Sequence, residues 1–196
     1  MPASAKVFDV AAFILERTGA IQPMKLEKLT YYSQAWALMR DGGPIFNEHF
    51  EGWRNGPVCP ELYRLHQGKE QIHVLSLGDP GALGERSQMT VNAVLSVYGA
   101  WTSQALSDLT HREGPWRLAR VGLSSEEPGN VIITLDSMRE YYGAVDTPER
   151  RHITAFGTKI NPLVQYMQDM DDDEAALIDE LSKLDDDIEV AKLSVQ

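Results

Sequence analysis

A chain of 196 residues with 43% hydrophobic and 8% aromatic content has apolar mass for one well-buried core and too little length for two full domains. No run approaches the roughly 18 apolar residues of a membrane span, and Asp9 and Glu16 interrupt the apolar N-terminal stretch, so neither a spanning helix nor a secretory leader is expected and the expected location is cytoplasmic. The formal charge of −11 excludes a generally basic, nucleic-acid-binding surface, and the single cysteine, Cys59, excludes an internal disulfide and a cysteine-based zinc site.

The charge is unevenly placed. Residues 169–196 carry eleven acidic side chains against Lys183 and Lys192, a net of −9, and leave residues 1–168 with a net of −2. A nearly neutral body is followed by an acidic tail, for which a basic protein is the natural complement.

Along the chain, Val7, Val10, Ala11, Ile14 and Leu15 form one helical stripe that ends near Gly19. A second helix is expected over residues 24–40, with Leu26, Leu29, Tyr32, Trp36 and Met39 inward and Lys25 and Lys28 on its outward edge, stopped by Asp41-Gly42-Gly43-Pro44. Residues 45–53 alternate in part and are rich in aromatics, as in a short strand or hairpin. Asn55-Gly56-Pro57 has turn chemistry, and a helix should start at Val58 or Pro60 and end at His66.

A loop is expected over residues 78–88, followed by helical spacing at Val91, Val94, Leu95 and Tyr98, with Trp101 one turn further on. Two short helices should cover residues 102–109 and 115–121. Val131-Ile132-Ile133 suits an edge strand, and Thr134 should cap a helix over residues 135–142. The expected fold is mainly α: a compact domain of six to seven helices with a small β-hairpin or short strands, over residues 1–146. Residues 147–196 form the expected extension, a less regular segment and then an acidic helix with Leu177, Leu181, Leu184 and Ile188 along a narrow seam.

Signatures of catalysis are absent from the sequence: it holds no phosphate-binding glycine loop, no H-E-x-x-H and no G-x-S-x-G. The five histidines have no i, i+4 pair for a metal, so no metal or cofactor is expected. Glu51 with His111, Cys59 with His66, and His111 with Glu113 have the residue types for acid–base or nucleophilic work, without diagnostic spacing. Tyr31, Tyr32 and Trp36 would serve either as a stacking platform or as core, and only Lys25 and Lys28 accompany them, which favours core. Thr110 and His111 stand where Pro115 opens a short helix and Trp116 plugs the core beside it; His111 and Arg112 are alternatives for a partner contact.

Three runs give a resemblance: MKLEKLTYYSQAW from Met24, PIFNEHFEGWRNGPVCPELY from Pro44, and LTHREGPW from Leu109. In this order and spacing, over roughly residues 6–143, the sequence resembles the Panacea or SocA-like antitoxin domain, a family that includes GepA-like phage proteins. The residues that carry the family motifs are Lys25, Leu26, Lys28, Leu29, Tyr31, Tyr32, Trp36, Trp53, Asn55, Gly56, Pro57, Val58, Thr110, His111, Pro115 and Trp116.

The resemblance implies a non-enzymatic antitoxin that neutralises a co-encoded protein toxin by binding it, with small alarmone synthetase-like enzymes among the partner classes. A SocA-type member also delivers its toxin to the ClpXP protease, which makes a proteolytic adaptor the alternative. Because one domain serves unrelated toxins, partner identity is expected in variable or appended segments. The acidic tail lies outside the resemblance. Its seam of Leu177, Leu181, Leu184 and Ile188, flanked by Asp179, Glu180, Asp185, Asp186 and Asp187, is a candidate for docking on a basic toxin; folding back on the body, self-association and simple solvation are the alternatives.

Overall fold

The computed structural model describes residues 5–124 and 126–157. Over these it contains eight α-helices and a three-stranded antiparallel sheet: α1 Val7–Thr18, α2 Pro23–Arg40, β1 Phe50–Trp53, β2 Gly56–Val58, α3 Pro60–His66, α4 Glu85–Tyr98, α5 Ser103–Arg112, α6 Gly114–Ala119, β3 Ile132–Ile133, α7 Leu135–Ala144 and α8 Pro148–Ala155. The mainly helical class with a small sheet agrees with the sequence reading. The acidic helix expected after residue 169 lies outside the described residues.

The centre of the fold is α2. Pro23 opens it at the first position, where a missing N–H costs no hydrogen bond, and every residue from 26 to 38 is buried. It packs against α1, α3, α4, α5, α7 and β2, so over this stretch it has no solvent face. The outward edge expected for Lys28 therefore does not exist. Lys28 is fully buried and Lys25 half-buried, because α5 and the hairpin cover the side that helical periodicity leaves to water.

The hairpin forms where Asn55-Gly56-Pro57 predicts a turn, pairing Trp53 with Gly56 and Glu51 with Val58. Strand β1 is central and β3 joins its other edge, pairing Ile133 with Phe50. Helix α4 starts three residues before the end of the expected loop and stops at Tyr98. Trp101 lies beyond it, edge-on to Tyr98 at 5.7 Å, and does not continue the helical stripe.

Helix α8 falls where a less regular segment is expected. Thr147 caps it by accepting from the Arg150 N–H at 3.2 Å, Pro148 occupies its first turn, and Ile153 is fully buried against the core. The helix packs on α4, so the packed body runs about ten residues beyond residue 146. Truncating that side chain tests this packing. Ile153→Ala should cost about 2 kcal/mol or more in urea unfolding, whereas a solvated helix would show almost no change.

Candidate functional site

The three sequence runs converge on a buried clamp around Lys28. Its Nζ donates to the Pro57 carbonyl at 2.9 Å, inside the turn that the hairpin makes against α2. Gly56 makes this approach feasible: its φ is +98°, and a Cβ there would stand 2.5 Å from Lys28 Cε and 2.6 Å from Thr110 Oγ1. Burial holds the Lys28 ammonium down at about 8, partly offset by the neighbouring Glu27 carboxylate. Lys25 reaches the Gly99 carbonyl at 2.6 Å, and so satisfies a backbone acceptor at the C-terminal end of α4.

The third run closes the clamp from the other side. Thr110 donates to the Ser107 carbonyl, and Ser107 donates to the Asn55 carbonyl at 3.0 Å, which ties α5 to the hairpin turn. The His111 ring stacks on Trp116 with centroids 4.1 Å apart, and the Trp116 indole N–H donates to the Trp53 carbonyl at 2.8 Å. Loss of water and the nearby Lys28 charge lower the His111 pKa against the pull of Asp108 and the Arg54 carbonyl, so the ring stays neutral at neutral pH. Leu26, Leu29, Tyr31, Tyr32, Trp36, Val58 and Pro115 are buried, and of the motif residues only Asn55 is exposed.

Two polar constellations were missed in the sequence. In the first, Glu27 Oε1 and His66 Nε2 lie 2.6 Å apart, both side chains buried, while Glu27 Oε2 accepts from the Cys59 N–H at 2.9 Å. They form the floor of a cleft of about 340 Å³ walled by Met24, Trp53, Val58 and Tyr63. Trp53 and Tyr63 meet edge-to-face at 4.8 Å.

In the second, Glu113 Oε2 accepts from the Tyr142 hydroxyl at 2.7 Å and the Tyr32 hydroxyl at 3.1 Å. Burial raises the Glu113 carboxyl to about 7 in spite of both donors. Their own burial, and then the same carboxylate, push both tyrosines well above their ordinary range, which keeps them protonated as donors. A lone Glu in a helix-opening loop gives no sequence signal of such burial.

The pairs considered for chemistry do not assemble as named. Cys59 Sγ contacts Glu61 at 3.4 Å, and burial raises its thiol far above the range in which a nucleophilic thiolate forms; His66 is engaged by Glu27. Glu51 accepts from the Trp53 indole and lies 3.6 Å from His49, and Glu113 turns to its tyrosines while His111 stacks on Trp116. The tail candidates Leu177, Asp179, Glu180, Leu181, Leu184, Asp185, Asp186, Asp187 and Ile188 lie outside the described residues.

What these contacts define is a helical body built to hold one buried helix and its hairpin in register. Residues 26–117 match the family model described as antitoxin SocA-like, Panacea domain. Antitoxin SocA of Caulobacter vibrioides (strain NA1000 / CB15N) is 36% identical over 79 residues, which cover 38% of this chain and 42% of that protein. The chain thus spans less than half the length of that curated relative, and no solved structure matches it. The clamp, the hairpin and Glu113 all lie within the segment that matches the SocA-like Panacea domain model.

Two substitutions test the site. Gly56→Ala should lower stability by more than about 2 kcal/mol in denaturant unfolding, since it combines positive-φ strain with contact against Lys28 and Thr110. For Glu113 the sign follows from proton binding: a carboxyl at about 7 in the folded protein and about 4.5 ordinarily binds more protons folded than unfolded between those values. The wild type should therefore lose up to roughly 3 kcal/mol relative to Glu113→Gln as pH rises from about 4.5 to 7, and little more above that. Parallel urea titrations of the two proteins across this window read the difference directly.

Proposed function

We propose that this protein is the antitoxin of a toxin–antitoxin pair and neutralises a co-encoded toxin by direct protein–protein contact, without catalysis of its own. The likeness to Antitoxin SocA supports the role. Burial of eleven of the sixteen family-motif residues supports a division of labour in which the motifs build the scaffold and the partner reads the exterior.

The observation that carries the reading is the apolar exterior beside the open edge of the sheet. Val121 is 78%, Leu118 63%, Val131 52% and Ile132 51% exposed, on the adjoining elements α6 and β3 and the segments that flank them. Neighbouring apolar side chains left in water on adjacent elements mark a protein-contact surface. A two-residue edge strand adds backbone groups that a partner can engage. The acidic tail, with its leucine seam at Leu177, Leu181, Leu184 and Ile188, adds a second contact suited to a basic toxin.

Co-expression with the product of the neighbouring reading frame tests this. The full chain should restore growth and co-purify with that product, and Val121→Asp with Ile132→Asp should weaken the complex by about a hundredfold at unchanged circular dichroism. A chain ending at residue 157 separates the two surfaces: full neutralisation by it would remove the tail from the mechanism. Loss of protection only when a ClpXP-type protease is deleted would replace occlusion with the adaptor role. A neighbouring product that is not toxic, or that the full chain does not bind, would overturn the reading.

A further inference from the structure

A smaller cavity, of about 120 Å³, opens beside Glu113. Trp36, Tyr98, Glu113 and Tyr142 form its buried wall, and Arg112 and Glu149, both more accessible, also line it. Both hydrogen bonds to Glu113 come from neutral hydroxyls and reach the same oxygen, Oε2. Among the described residues no Lys, Arg or His forms an ion pair with this carboxylate, Arg112 included.

A buried carboxylate is normally matched by a cation or neutralised by a proton, and this one has hydrogen bonds without a counter-charge. The second carboxylate, Glu149, adds negative potential to the same space, which the Arg112 guanidinium offsets in part, so that Glu113 and Glu149 together leave a net negative lining. Aromatic rings make up much of the remaining wall, with Leu109, Val145 and Thr147 completing it: Trp36 and Tyr142 meet edge-to-face at 4.9 Å, and Tyr98 lies stacked on Tyr32 at 4.5 Å. Aromatic faces with carboxylates attract cations and do little for anions. The volume corresponds to about four water molecules at roughly 30 Å³ each, which admits an ammonium head with a short alkyl stem and is too small for a nucleotide.

We propose that this cavity binds an alkylammonium group, with Glu113 as its counter-ion and Trp36, Tyr98 and Tyr142 as its cation–π wall. The amine is either a lysine side chain of the bound toxin or a small free amine. Only the lysine source rests on the antitoxin reading; the ammonium chemistry does not.

The full-length protein, titrated with n-butylammonium chloride at about pH 8, where carboxylate and amine are both charged, tests the site by proton–nitrogen NMR. The Trp36 indole and Glu113 amide signals should shift saturably, and n-butanol, the neutral counterpart, should leave them in place. Glu113→Gln keeps an acceptor for both tyrosine hydroxyls and should weaken amine binding by about tenfold or more. Glu149→Gln, at a half-buried position where the change is isosteric, should weaken it about two- to threefold. Equal shifts with butanol, no saturable shift with butylammonium, or undiminished binding by both variants overturns the proposal.

The source is read with the co-encoded toxin added. Competition by butylammonium and a weaker complex with Glu113→Gln assign the amine to a toxin lysine. An unchanged toxin complex beside intact butylammonium binding assigns it to a free amine. Failure of the antitoxin reading leaves the titration of the protein alone unaffected.

Discussion

A helix buried on every side must find a partner inside the protein for each polar side chain it carries, and α2 carries five polar or charged ones besides its tyrosines between residues 26 and 38. Thr30 and Ser33 solve this locally by donating to the carbonyls of Leu26 and Leu29, one turn back. The others recruit distant chain. Gln34 donates to the Phe46 carbonyl and accepts from the Ile45 N–H, Glu27 takes His66 and the Cys59 N–H, and Lys28 takes the Pro57 carbonyl. Each bond pins one segment after α2 onto it, so the route of the chain from residue 45 to 66 follows from satisfying one helix.

Such an arrangement favours register at a cost in tolerance. An apolar helix at this position slides with little penalty, whereas one lined with buried polar groups leaves several of them unpaired if it moves by a residue. Lys28 is the sharpest case. Its ammonium stays charged at neutral pH within a fully buried site, and the end of its stem occupies space that any side chain at residue 56 would take. Lys28 and Gly56 therefore constrain each other across 28 residues of sequence.

What could be read from the sequence was what local rules decide. The α1 stripe, the glycine stop after α2, the Asn55-Gly56-Pro57 turn and the Thr134 cap all form as their own chemistry dictates. Helical periodicity fails on α2 because it assumes one face in water, and so it turned Lys25 and Lys28 outward when both point to backbone carbonyls. Helix α8 was obscured by Glu149, Arg150, Arg151 and His152, although Thr147-Pro148 was a readable start and Ile153 its one buried anchor. The Glu27–His66 and Glu113–tyrosine contacts join residues 29 to 81 positions apart, and nothing in one sequence reports that separation being closed. Residue type still carried information there: a Lys, a Glu and two tyrosines within one helix are costly to bury and persist only where partners are built for them.

Glu113 shows how the family segment depends on chain outside it. Its carboxylate belongs to the stretch that matches the Panacea domain, as does Tyr32, but its shorter hydrogen bond comes from Tyr142 on α7, beyond residue 117. Tyr142 is also the ring that Trp36 and Tyr31 pack against. Removing α7 would therefore strip half the hydrogen bonding from a buried carboxylate and one wall from the aromatic cluster together. Residues 26–117 taken alone would lack these contacts, and α7 and α8 also contribute to the wall of the cavity beside Glu113. Because Tyr142 packs on the same helix that carries Lys28, a change in α7 that reshapes the cavity also acts on the stability of α2.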